Sequence, residues 1–224
     1  MVSGLASRPR AILVISAHWE CDRPTLQASP SPGQLFDYYG FPAHTYKLSW
    51  RARGAPKLAH TIQHALTSAG IPTDLDLNRP YDHGVFIPLL LATPAADIPT
   101  LQLSLSRSLD PALHLRIGRA LRGLRDQGVL ILGSGMSFHN LRDFGGPGTL
   151  AASHHFNDWL IQACTDPLQS LLSWEDAPSA RTCHPREEHL LPLMVCAGAG
   201  DSDPGHAVFR GEAMGVEMLA LRFG

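Results

Sequence analysis

The sequence predicts an α/β fold, in which a central mixed sheet is flanked by helices and the active site lies at the carboxyl edge of the strands. Aliphatic runs bounded by turn residues recur at 11–17 ("AILVISA"), 98–105, 129–134 ("VLILGS") and 215–222, and read as strands. Helical patterns fall between or beside them at 55–69, 110–127, 150–164 and 187–197. That alternation is the signature of helices layered on a sheet. The first strand runs directly into a histidine, an indole and a carboxylate in "ISAHWE". In open α/β sheets the ligands bind where loops leave the carboxyl ends of the strands.

The 224 residues, 44% hydrophobic, suit one globular domain over 1–224. A net charge of -2 without basic runs argues against nucleic acid and anionic membrane surfaces as partners. The apolar stretch "VFIPLLLA" is far shorter than the roughly 20 residues needed to cross a bilayer. No signal-peptide order opens the chain, and the four cysteines form no C-x-x-C pair, so the expected compartment is the cytoplasm. The segment 21–54, with its Pro, Gly, Ser and aromatic residues, reads as a long ordered loop or lid, and 174–187 as a second loop.

Twelve histidines exceed ordinary usage and carry the chemistry. His18 follows the first strand, beside Trp19 and Glu20. His139 follows the strand 129–134 through "GSGMSF", with Asn140 fixing the loop. The glycines there match neither a dinucleotide fingerprint nor a nucleophile elbow. His83, in "YDHGVF", precedes a helix and is either a turn residue or a proton carrier. His189, in "REEHLLPL", falls in the first turn of another helix, where Glu187 and Glu188 complement the dipole or where the histidine ligates. His60 and His64 have metal-pair spacing but lack the zincin glutamate, and read as a solvated face. His114, His154 and His155 read as surface or helix-flank residues.

Taken in order, "SAHW", "DHG", "GSGxxxHN" and "EHLLPL", with "GFPAHTY" and "GVEMLAL", resemble the class III extradiol ring-cleavage dioxygenases, in particular their DOPA-dioxygenase-like branch. The resemblance implies a non-haem Fe(II) enzyme, with Zn(II) as found in recovered protein, that opens a catechol or related aromatic diol with O₂. It implies metal ligands at His18 and His189, with His139 either a further ligand or the base that takes a hydroxyl proton. His83 becomes a residue that contacts substrate or supports the site. The implied assembly is a homo-oligomer or a pairing with a homologous subunit. Members of the family begin with a further strand and a Gly-His-Gly-Ser-Pro-like loop that donates a ligand; "MVSGLASRPR" has no match to it. That departure implies a start further upstream, a substitute ligand at His44 or Glu188, or a non-catalytic, metal-poor homologue. A zinc hydrolase on the same scaffold is the remaining alternative.

Overall fold

In a computed structural model, residues 7–165 and 169–224 are described; Met1–Ala6, within the stretch that lacks the family's ligand loop, lie outside them. The chain is α/β, with a mixed sheet and flanking helices as the sequence predicts. It resolves into two compact units, one of residues 1–108 with 123–134, the other of residues 109–122 with 135–224.

The first unit holds β1 (Ala11–Cys21), β2 (Thr25–Gln27), α1 (Pro56–Ser68), β3 (Asp74–Asp76), α2 (His83–Ala92), β4 (Thr100–Ser106) and β5 (Val129–Ser134). Its sheet has the order β3-β2-β4-β1-β5. β1 runs parallel to both β4 and β5, while β2 meets β4 antiparallel. β1 and β4 are central and buried on both faces, which explains their unbroken aliphatic reading. Ile12 and Val14 pack with Val85, Phe86 and Leu89 of α2 and with Trp50 and Tyr81 in one buried cluster. Trp50 enters it because its indole N–H finds the Thr93 carbonyl at 2.9 Å.

One strand boundary departs from expectation in an informative way. β1 does not stop at residue 17 but continues to Cys21, and its register with β4 slips between Ile15↔Leu103 and Glu20↔Leu105. The slip encloses "SAHW". A bulge of this kind frees side chains from the pleat and re-aims them, as happens beside functional sites. The segment 21–54 is ordered as expected, yet it also contains the short β2 and a 3₁₀ turn at Ala43–Lys47.

The second unit holds α3 (Pro111–Leu121), α4 (Thr149–Thr165), α5 (Gln169–Leu172), α6 (Ala180–Cys183), α7 (Leu191–Gly200) and the antiparallel pair β6 (Gly205–Ala213) and β7 (Val216–Phe223). Asp110 opens α3 by accepting from the Ala112 N–H at 2.9 Å, with Pro111 at the first turn. α3 and α7 cross at glycines: a Cβ on Gly118 would lie 2.1 Å from the Val195 carbonyl oxygen, and one on Gly198 would lie 2.2 Å from that of Leu115. Hydroxyls of Ser153 and Ser137 accept from the Glu217 and Leu219 N–H groups, satisfying the outer edge of β7. β6 is an exposed edge with its own register shift at Ala207/Phe209.

His60 and His64 lie on the solvated face of α1 as expected. His114 does not lie on the surface: it is fully buried, with Nδ1 on the Asp110 carbonyl at 2.7 Å. The helical period puts it on the buried stripe with Ile117, Gly118 and Leu121, against the ordinary preference of histidine for solvent. Among the described residues no helix is long and apolar enough to cross a membrane.

Candidate active site

In the first unit the bulge of β1 and the start of α2 bring His18 and His83 together, with ring centroids 3.9 Å apart. The glycine of "DHG" makes this approach possible, since a Cβ on Gly84 would lie 2.7 Å from Ser16 Oγ and 2.8 Å from His18 Cδ2. A buried polar network ties the two elements. Ser16 Oγ donates to Asp82 Oδ1 at 2.7 Å and accepts from the His18 N–H at 3.2 Å. Arg79 reaches Asp82 Oδ2 at 2.9 Å and the His18 carbonyl at 3.4 Å, and stacks over Trp19 at 4.9 Å. Burial raises the Asp82 carboxyl above its ordinary pKa, against the pull of Ser16 and Arg79. Trp19 therefore supports Arg79 from a buried position rather than standing exposed beside His18.

Asp37, a residue the sequence reading passed over, completes this cluster. Its Oδ1 accepts from both the backbone N–H and Nδ1 of His83, each at 2.9 Å. Ligand atoms of His18, Asp37 and His83 all lie within 4.8 Å of one another.

The second unit gathers His139, Glu188 and His189, again within 4.8 Å. The loop after β5 carries His139, whose N–H bonds the Cys183 carbonyl at 2.8 Å, and Asn140 fixes that loop through the Thr182 carbonyl at 3.0 Å. Gly135 is required here, because a Cβ on it would lie 2.1 Å from the His189 carbonyl oxygen, which accepts from the Met136 N–H. The imidazoles of His139 and His189 stack at 3.2 Å between centroids and 17° between planes. Glu188 Oε1 lies 3.0 Å from His189 Nδ1 and 3.2 Å from His139 Nδ1.

Two expectations are corrected in this cluster. His189 sits ahead of α7, which starts at Leu191 after the cap residue Leu190, and not in its first turn. Glu188 does not serve the helix dipole; it lies between two imidazoles. Burial opposes its ionisation, but the hydrogen bonds from His139 and His189 prevail and hold it far below the usual carboxylate range. His44, the other substitute considered, is exposed in the 3₁₀ turn at Ala43–Lys47.

The donor set fits a divalent metal. Two ligands about 2.1 Å from one ion and at right angles stand about 3 Å apart, which is the spacing of the Glu188 oxygen from each imidazole nitrogen. If the carboxylate instead takes the Nδ1–H of both rings, it turns both Nε2 atoms into the lone-pair nitrogens a metal requires. The cluster opens on a cavity of about 740 Å³ that His139 and Glu188 line with Arg142 and Arg186. An imidazole–carboxylate cluster of this kind beside a cavity could hold a divalent ion, a donor set that metal-dependent hydrolases and oxygenases use.

Comparison with known proteins narrows that class. Residues 4–219 match the family described as the catalytic LigB subunit of aromatic ring-opening dioxygenase. Dioxygenase tasH of Hapsidospora irregularis is 39% identical over 97% of this chain and 72% of its own. The 4,5-DOPA dioxygenase extradiol of Beta vulgaris is 40% identical over 87% of this chain and 74% of its own, and the Escherichia coli protein of that description is 34% identical over 97% and 83%. A crystal structure of an uncharacterized Escherichia coli K12 protein superposes with a TM-score of 0.82 at 32% identity, over 97% of this chain and 87% of that one. The chain belongs to the LigB family of class III extradiol dioxygenases, in its DOPA-dioxygenase-like branch.

Proposed function

We propose that this protein is a cytoplasmic enzyme that uses Fe(II) and O₂ to open the ring of a catechol or related aromatic diol. The observation that carries the reading is the His139–Glu188–His189 cluster within a chain of the ring-opening family. Within the second unit Glu188 and His189 would hold the metal, with His139 either a further ligand or the base, and with Zn(II) as the redox-inert occupant of recovered protein. When bound, a ferrous ion supplies electron transfer between diol and dioxygen.

The protein's own part is to fix donors, exclude competing geometries and move protons. Glu188 holds two imidazole planes in register, so their lone pairs need no reorganisation. His83 and His139 are the groups able to take a hydroxyl proton and return it, a contribution typically worth roughly 10²- to 10⁴-fold.

The test is anaerobic loading with ferrous iron, then a panel of aromatic diols and O₂. Stoichiometric O₂ uptake with a yellow ring-opened product is expected; no uptake with any diol would sink the reading. Turnover with zinc in the absence of oxygen would replace it with hydrolysis. Metal analysis of His18→Ala and His139→Ala assigns the roles: a variant that keeps its metal and loses turnover has lost a proton carrier, and one that loses both has lost a ligand.

A further inference from the structure

Among the described residues, β6 has a partner strand on one side alone. Which of its main-chain groups face the free side follows from the hairpin it forms. β6 and β7 are joined by the turn Met214-Gly215, with φ of 53° and 76°, a mirror-image turn that suits hairpin twist. The N–H groups of Glu217 and Leu219 turn away from β6, toward Ser153 Oγ and Ser137 Oγ. In an antiparallel ladder, both members of a non-hydrogen-bonded pair turn their main-chain groups away from each other. Glu212 and Arg210 stand opposite Glu217 and Leu219, so theirs point out of the free side of β6. Among the described residues nothing meets them there.

The same edge exposes apolar side chains. Val208, Phe209 and Met214 are 55%, 57% and 67% exposed. Phe209 leans along its own strand, since a Cβ on Gly211 would lie 2.9 Å from its Cζ. On the opposite face Arg210 holds Glu217 through Nε and Asp158 through Nη2, which leaves Nη1. Glu212 is exposed and reaches His154 at 3.7 Å.

A second copy of this chain suits such an edge, because a closed dimer uses one patch twice about a two-fold axis. The irregularity at Ala207/Phe209 and the turn at Met214 confine regular pairing to the outward groups of Arg210 and Glu212. An axis at residue 210 would set two arginines face to face, and an axis at residue 212 two glutamates; like charges directly opposite are unfavourable. An axis at Gly211 sets opposite charges together at both places. The glycines then meet on the axis with no side chain between them, and the two Phe209 rings that lean over them cover each other.

We propose that β6 is a dimerisation edge: two copies of this chain pair antiparallel about an axis at Gly211, with Arg210 of each copy opposite Glu212 of the other. Each such pair exchanges both of its main-chain hydrogen bonds, and the two hairpins become one continuous sheet. The inference is independent of the ring-opening reading. The shared stretch is short against the roughly 800 Å² per partner of a standard interface, so the dimer is reversible and forms with rising concentration.

Sedimentation velocity of the full chain over a concentration series should show a monomer–dimer equilibrium. Glu212→Lys turns two attractive pairs into repulsive ones and should raise the dimer Kd at least about tenfold, while circular dichroism stays that of the unaltered protein. Gly211→Cys should cross-link to a dimer under mild oxidation, since axial residues of a non-hydrogen-bonded pair stand about 4.5 Å apart. Glu212→Cys should not, because its two copies stand beyond the roughly 7 Å that a disulfide spans. A chain that stays monomeric throughout the series, a Glu212→Lys dimer as tight as the unaltered one, or cross-linking at 212 in preference to 211 overturns the proposal.

Discussion

At the scale of single residues, four imidazoles stood out by type, whereas the carboxylates beside them did so less, Glu188 entering only as a substitute ligand and Asp37 not at all. His18, His83, His139 and His189 stand out by type, since few ordinary roles call for histidine after a strand or beside a glycine turn. Glu188 carries no such mark, because an acid ahead of a helix has an ordinary explanation. Asp37 was hidden more deeply: no spacing rule links it to His83, and the one available sign, its isolation as the one carboxylate in "FDYYGFPAHTY", is too weak to single it out. Glu188 also gives the sharpest residue-level prediction. Glu188→Ala removes the acceptor shared by two imidazoles and should weaken metal binding about 10–100-fold, as read by competition with a chromophoric chelator. Unchanged affinity would exclude the carboxylate from the site.

Elements were legible where a period was sustained and lost where a contact ended it. β5 matches its predicted span, and α4 and β7 fall within one residue of theirs at each end. β2 and β3 span three residues each, too few for any alternation to register. The predicted helix 110–127 gives way at residue 122 to a 3₁₀ turn, Arg122–Leu124. The crossing of α3 and α7 shows what sequence period cannot: both glycines read as weak helix formers, yet each is needed so that main chains can touch. Gly118→Ala should therefore destabilise the protein by about 2–3 kcal/mol despite its better helix propensity, measurable by urea unfolding. A neutral or stabilising result would mean the helices can part without cost.

For the molecule as a whole, acid stability is set partly by a histidine outside the proposed chemistry. His184 is fully buried between Phe156 and Trp174, with Nε2 on the Ser137 carbonyl at 3.0 Å. Burial lowers its pKa to about 4, although the carbonyl contact pulls the other way. An unfolded chain takes up this proton near 6.5 and the folded protein only near 4, so stability is intact above that window and falls as pH drops through it. The loss should total about 3 kcal/mol, and His184→Phe in chelated protein should flatten the curve over that range. A variant with the same acid limb would assign the effect elsewhere. The α/β class was readable because it depends on alternation along the entire chain, and the family because its motifs keep their order. Acid sensitivity was not, since it depends on which of the twelve histidines lose contact with water.

The slip in β1 has an engineering consequence. Pairing with β4 holds up to Ile15 and resumes at Glu20, so the intervening four residues depart from that ladder while Ser16 keeps its place opposite Ser134 of β5. Lengthening or shortening that stretch would swing the imidazole at position 18 to a new bearing while the paired residues on either side stay put.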